Sequence, residues 1–76
     1  MATKGYILIE TAVGKTRNVA TALKALAEVK SVDLVTGPYD IILVVEAKDL
    51  NSIGEFVTAK VHPLPGVNRT VTCLAV

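Results

Sequence analysis

The chain has 76 residues, of which 51% are hydrophobic, and its eight basic and seven acidic residues leave a net charge of +1. This length allows one domain, and the basic residues are scattered rather than clustered, which argues against an electrostatic footprint for nucleic acid. A single cysteine excludes an internal disulfide, so a domain of this size is expected to gain its stability from a partner chain.

Hydrophobic periodicity predicts four strands and two helices in the order β-α-β-β-α-β. Thr16 and Asp49 are the predicted N-caps of the two helices. The pair at 37–38, Gly-Pro, marks a turn, and Pro63 and Pro65 end the second helix. The predicted elements are strand 4–11, helix 16–29, strand 31–36, strand 39–47, helix 50–61 and strand 67–74. The residues predicted to face inward from the helices are Val19, Leu23, Leu26, Leu50, Ile53, Phe56, Val57 and Val61.

This order of elements predicts an α+β fold of the ferredoxin-like type. Two split βαβ halves with right-handed crossovers place four strands in one antiparallel sheet with both helices on the same face. The first and third strands are then central. The domain is expected to be single, covering residues 1–76.

The third strand is apolar on both faces. Ile41, Leu43 and Val45 point one way, and Ile42 and Val44 point the other way. Two helices cover one face, and soluble monomers rarely expose a continuous apolar patch on the other. We therefore predict a homodimer of facing sheets, an assembly of the dimeric α/β-barrel type. The alternative is that the side chains on the second face are also covered within the monomer, as part of a thick core under long side chains.

Catalytic and cofactor signals are absent from the sequence. His62 lies in a proline-rich loop and is expected to be exposed, and Cys73 lies in a strand and is expected to be a buried, inert thiol. No spacing supports a metal site, and the triplet at 14–16, Gly-Lys-Thr, lacks the upstream glycine of a phosphate loop. We predict no catalytic residue, no metal and no cofactor. The longest apolar run, 41–45, is too short to span a membrane, and with a lone cysteine and no export signal this predicts a cytoplasmic protein without membrane contact.

Two polar groups stand out against this apolar background. One lies at the predicted turn before the third strand, and the other lies on the fourth strand, where two threonines two residues apart share a face. Carboxylate, hydroxyl and turn amide groups could hold a small zwitterion, with Asp40 pairing with its ammonium group. Local capping by Asp40 and ordinary strand threonines explain the same residues, and the residues alone favour this simpler explanation. The residues are Thr36, Gly37, Tyr39, Asp40, Thr70 and Thr72.

Two motifs resemble the effector-binding domain of the Lrp/AsnC family, also called the RAM domain. They are Val-Thr-Gly-Pro-Tyr-Asp at 35–40 and Leu-Pro-Gly-Val-Asn-Arg-Thr-Val-Thr at 64–72, and the likeness covers nearly the whole chain. The resemblance implies face-to-face dimers that assemble into a ring, an octamer or decamer, with an amino-acid effector between dimers. It also implies that the effector site is lined by Gly37, Tyr39, Asp40, Thr70 and Thr72, with Thr36 and Arg69 added.

Regulators of that family carry an N-terminal helix-turn-helix domain, and this sequence shows none, so it is most similar to the stand-alone RAM proteins. The expected function is amino-acid binding and oligomerisation without direct contact to DNA, and full-length Lrp/AsnC regulators are candidate partners for co-assembly. The alternative from another class is a small dimeric α+β-barrel enzyme, such as a cofactor-free monooxygenase or isomerase. A purely structural oligomerisation module is the third alternative.

Overall fold

The computed structural model describes residues 2–76, and within them the elements follow the predicted order. The second helix, α2, runs directly into a π-helical segment. The bounds are β1 Thr3–Thr11, α1 Thr16–Lys24, β2 Val29–Leu34, β3 Ile41–Ala47, α2 Leu50–Phe56, the π-helical segment Val57–Val61, and β4 Val67–Leu74.

The described strands form one antiparallel sheet in the order β2-β3-β1-β4. The central strands are β1 and β3, as predicted, and the helices cover one face of the sheet. Ile7, Ile9, Ile41 and Leu43 on this face have no exposed surface. They pack with Val19, Ala20 and Leu23 of α1 and with Ile53, Phe56, Val57 and Val61 of the second helical region. The ferredoxin-like prediction is confirmed.

The first helix is shorter than predicted, ending at Lys24 rather than at residue 29. Residues 25–28 favour helix by composition, but the chain must reach the sheet edge, where Val29 pairs with Val45. Successive turns lead the chain from the helix to the sheet edge, and in one of them the Val29 N–H donates to the Leu26 carbonyl at 3.2 Å. Thr16 is not the N-cap, because Lys15 occupies that position without a side-chain hydrogen bond.

The predicted cap of α2 is confirmed. The Ser52 N–H donates to Asp49 Oδ1 at 2.8 Å, and this hydrogen bond holds the pKa of the Asp49 carboxyl below its ordinary value. Leu50 was predicted to face inward, but 56% of its surface is exposed. It stands at the first position of the helix, outside the turn that contacts the sheet.

The other side of the sheet carries an apolar surface that the helices do not cover, which we call the free face. The register aligns Tyr6 with Val44 and Cys73, and Leu8 with Ile42 and Val71. Cys73 is exposed, so the prediction of a buried thiol is wrong for the single chain, because the strand turns this side chain away from the helices. The free face consists of Tyr6, Leu8, Ile42, Val44, Val71 and Cys73.

Candidate functional site

The β2–β3 turn and the beginning of β4 lie at the same end of the sheet. Ile9 near the end of β1 pairs with Ile41 on one side and with Thr70 on the other. The Asp40 N–H extends this pairing by donating to the Ile9 carbonyl at 2.9 Å. Polar residues that are about thirty positions apart in sequence therefore meet across the end of β1.

Tyr39 and Arg69 are brought into direct contact there. Arg69 Nη2 donates to the Tyr39 hydroxyl at 3.1 Å, and the guanidinium carbon lies 5.4 Å from the ring centroid. The flat guanidinium thus keeps most of its N–H groups free while the ring supports it. This pair presents a fixed cation with unused donors, which suits a carboxylate.

Asp40 is committed to contacts inside the protein. Its Oδ2 accepts from the Thr11 backbone N–H at 2.8 Å and from the Thr11 hydroxyl at 3.2 Å. The Thr11 hydroxyl also lies 2.7 Å from the Thr16 hydroxyl, at the start of α1. Thr11 is only 8% exposed, so this network fastens the turn to β1 and α1. The sequence left local capping open for Asp40, but its Oδ2 bonds instead to Thr11, 29 positions away, and Oδ1 lies outside these hydrogen bonds.

Thr70 faces the opposite side of the sheet from Arg69, because it pairs with the buried Ile9 and Arg69 pairs with Glu10. Its hydroxyl lies 2.8 Å from His62 Nε2. An open surface depression at the sheet edge is lined by His62, Val67, Asn68, Arg69 and Thr70. Guanidinium, imidazole, amide and hydroxyl groups in this depression provide donors for an anionic group.

The remaining predicted residues lie further apart. Thr36 and Gly37 are exposed in the turn, where Gly37 has a φ of +127° that an L side chain rarely adopts. Thr72 shares the face of Thr70 but pairs with Ile7, further along β4, and is exposed. Of the seven predicted residues, Tyr39 and Arg69 are in direct contact, and a single chain does not bring all seven into one site.

His62, Thr11 and Thr16 lie in this region but were not among the predicted site residues. His62 is exposed, as expected, but it contacts Thr70 eight positions away. A local signal for this contact was the short link between the helical region and β4. It contains two prolines and starts β4 beside the end of the helical region. The Thr11 contact spans 29 positions and left no local signal.

Within residues 2–76, no group of three or more His, Cys, Asp or Glu side chains is placed to hold a metal ion. In the same described part, none of the helices has both the length and the apolar character needed to cross a membrane.

A family model for the Lrp/AsnC ligand binding domain matches residues 4–76. Over 69 residues, or 91% of the chain, the sequence is 32% identical to an uncharacterized HTH-type transcriptional regulator of Pyrococcus abyssi, and the match covers 44% of that protein. The chain spans less than half the length of the curated relatives that it matches.

Among solved structures, a hypothetical protein from Pyrococcus horikoshii is similar at 38% identity and a TM-score of 0.90, over 100% of this chain and 90% of that one. A transcriptional regulator from Neisseria meningitidis in complex with L-Met has a TM-score of 0.88 at 21% identity, over 97% of this chain and 49% of that one. The second likeness shows the fold alone.

Proposed function

We propose that this chain, which belongs to the family of Lrp/AsnC ligand-binding domains, binds a free amino acid and assembles into a homo-oligomer that serves regulation rather than catalysis. The observation that carries the proposal is the placement of the polar residues. They gather at one end of the sheet whose free face is apolar and uncovered, so that effector binding and assembly involve neighbouring surfaces.

The free face supports the assembly. The central residues of this face are half-buried within one chain, although their side chains point away from the helices. They are Tyr6, Leu8, Ile42 and Val44. At the two ends of this face, the register pairs Lys4 with Glu46 and Glu10 with Arg69. An apolar centre with charges of both signs at its ends is the composition of a protein–protein interface. We propose that a second copy of the chain covers the free face, sheet against sheet, and that several such dimers assemble into a ring.

The polar end of the sheet supports an amino-acid ligand. Arg69, stacked on Tyr39, and the Thr70 hydroxyl can bind a carboxylate, and the free Asp40 Oδ1 can accept from an ammonium group. These groups come from both faces of one chain, so the site is completed by the neighbouring dimer in the ring. The neisserial regulator of the same fold binds L-Met, which supports an amino acid as the class of ligand.

Direct DNA contact is not part of this proposal. The charge of +1 and the scattered basic residues provide no continuous basic surface. The matched relative from Pyrococcus abyssi is an HTH-type regulator, and we propose that the present domain acts on transcription by co-assembling with proteins of that kind.

Two measurements on the full chain test this function. Light scattering after size exclusion should give a mass that is an even multiple of 8.0 kDa. Isothermal titration with the twenty standard L-amino acids, starting with L-methionine, should give heat of binding for at least one of them at millimolar concentration. Intact oligomers that bind no amino acid would favour a purely structural oligomerisation module. A species of only 8.0 kDa at micromolar concentration would contradict the proposed assembly.

A further inference from the structure

The hydrogen bond between His62 and Thr70 adds to the candidate site a titratable group that the proposed function does not use. We infer that His62 is a positioning residue that couples carboxylate binding at Thr70 to protonation of its imidazole. The ligand class concerned is a small molecule with an ionised carboxylate. This inference rests on the proposed function, because it requires Thr70 to contact that carboxylate.

The end of the helical region holds the imidazole in place. The His62 N–H donates to the Val57 carbonyl at 2.9 Å, five residues back, which is the wide spacing of a π-helical turn. The Leu64 N–H then donates to the Val61 carbonyl at 3.1 Å. The backbone is thus bonded on both sides of His62, and its ring meets the Thr70 hydroxyl at 2.8 Å. Irregular turns of this kind are frequent at functional sites.

The neutral imidazole leaves two opposite arrangements of the Thr70 hydroxyl. With an unprotonated Nε2, the ring accepts the hydroxyl proton, and Thr70 then offers only lone pairs to a ligand. With a protonated Nε2, the ring donates to the Thr70 oxygen, and the hydroxyl proton is free to be donated. Only the second arrangement is a donor to a carboxylate, so the neutral protein must select one tautomer on binding.

Protonation of the ring removes this choice. Imidazolium has no acceptor, so it always donates to Thr70 Oγ1 and leaves the hydroxyl proton for the ligand. It also adds a positive charge to the depression that Arg69 lines. Histidine is the side chain whose charge ordinarily changes between about pH 5 and 8. Carboxylate affinity should therefore rise as the pH falls through this range.

The charged groups around His62 are consistent with this direction. Arg69 is the charged residue of β4 in the same depression. Lys60, on the segment that precedes His62, is held by Glu28 at 2.8 Å. Glu10, the partner of Arg69 in the register, lies on the free face, away from Thr70. No carboxylate lines the depression in the described structure, so a ligand carboxylate has no competitor there.

The experiment titrates the full-length oligomer with the twenty standard L-amino acids at pH 5.5 and pH 8.0. The ligand carboxyl is ionised at both values. We expect about threefold to tenfold tighter binding at pH 5.5, because the imidazolium adds a positive charge beside the carboxylate and no tautomer has to be selected. Titration in buffers of different ionisation enthalpy should also show proton uptake on binding near neutral pH.

Variants separate this coupling from a structural role. In His62→Gln the side chain still offers a hydrogen bond but does not titrate, so the ratio of affinities at the two pH values should fall to about one and proton uptake should cease. Thr70→Val should reduce the pH dependence to the contribution of the imidazolium charge, and Thr70→Ser, which keeps the hydroxyl, should restore it in full. Because the chain has one histidine, its imidazole nitrogen signals in NMR report the tautomer and its change on ligand addition without further assignment.

The outcomes distinguish this inference from the proposed function. Binding with equal affinity at both pH values and no proton uptake overturns the role of His62 and leaves the effector-binding function standing. Unchanged pH dependence in His62→Gln overturns it as well. Absence of binding for every amino acid at both pH values, with intact oligomers, overturns both.

Discussion

The two faces of the sheet have similar apolar content and different environments. On the helix side, Ile41 and Leu43 are completely buried, whereas their neighbours Ile42 and Val44 on the free face remain half-buried. Alternation along a single strand thus sends equivalent side chains into a finished core and onto an uncovered surface. The difference shows that the helices of one chain cover only one of the two apolar faces of its central strands.

Truncation in the finished core should have the largest effect. Leu43→Ala removes a side chain with no exposed surface and should lower the free energy of unfolding by about 2–5 kcal/mol, measured by urea denaturation at fixed protein concentration. Ile42→Ala, one position along on the free face, is the control. Ile42→Ala should lower the free energy of unfolding of the dissociated chain by less than Leu43→Ala does, and its main effect should be to weaken assembly. Equal losses in a dissociated background would contradict the contrast between the faces.

A charge on the free face should have the next largest effect. Val44→Asp places a carboxylate where a partner sheet would exclude water, which disfavours the dimer because the charge has no partner group there. Light scattering should then show the 8.0 kDa chain, with circular dichroism reporting its folded fraction. Val13→Asp introduces the same change at a fully exposed loop position and should leave the sheet-to-sheet dimer intact. Dissociation by both variants would argue against the free face as the interface.

The network that joins the two faces at the sheet end should have an intermediate effect. Asp40→Ala removes the acceptor of two hydrogen bonds from Thr11 and should cost about 1–3 kcal/mol. Thr11→Val keeps the backbone N–H bond and loses the hydroxyl, so about 1 kcal/mol is expected. Amide exchange at position 11 should accelerate in Asp40→Ala and stay slow in Thr11→Val. Similar exchange in both would mean that the carboxylate does not hold the turn.

The smallest effect is expected at the ion pair between the helical layer and the segment before β2. The Lys60 ammonium donates to Glu28 Oε2 at 2.8 Å and holds the pKa of the Glu28 carboxyl below its ordinary value of 4.5. Because the folded pKa is the lower one, the stabilisation is present above pH 4.5 and is lost as the pH falls through the folded value. Both side chains are partly exposed, so at most about 0.5 kcal/mol is expected.

Urea denaturation of the wild type and of Glu28→Gln measures this last effect. The difference between the two should be present at pH 6, should diminish as the pH falls below 4.5 and should shrink in high salt. A difference that grows as the pH falls would contradict the sign of the shift.

Several features of the fold followed from local patterns. The order of elements, the central positions of β1 and β3 and the Asp49 cap were predictable, because they depend on periodicity and on hydrogen bonds between residues three apart. The end of α1 was not predictable, because the sheet edge at Val29 overrides helix propensity there. Leu50 and Cys73 were wrongly predicted to be buried, because an apolar side chain does not by itself indicate whether another element covers it.

The candidate site divides in the same way. Gly37 was readable from the sequence because its positive φ restricts the residue type at that position. The contacts Tyr39–Arg69 and Asp40–Thr11 were not readable, because both depend on how distant strands pair, whereas the short link with two prolines was a local signal for His62–Thr70. The seven predicted residues and the single-domain organisation stay predictions.

The amino-acid sequence by itself determined the strand and helix order and the presence of two apolar faces, because both follow from the period of side chains along the backbone. Only the tertiary structure decided which face the helices cover and which polar side chains meet at the end of the sheet. Pairing register and helix packing are long-range properties, and they turn residues about thirty positions apart into neighbours.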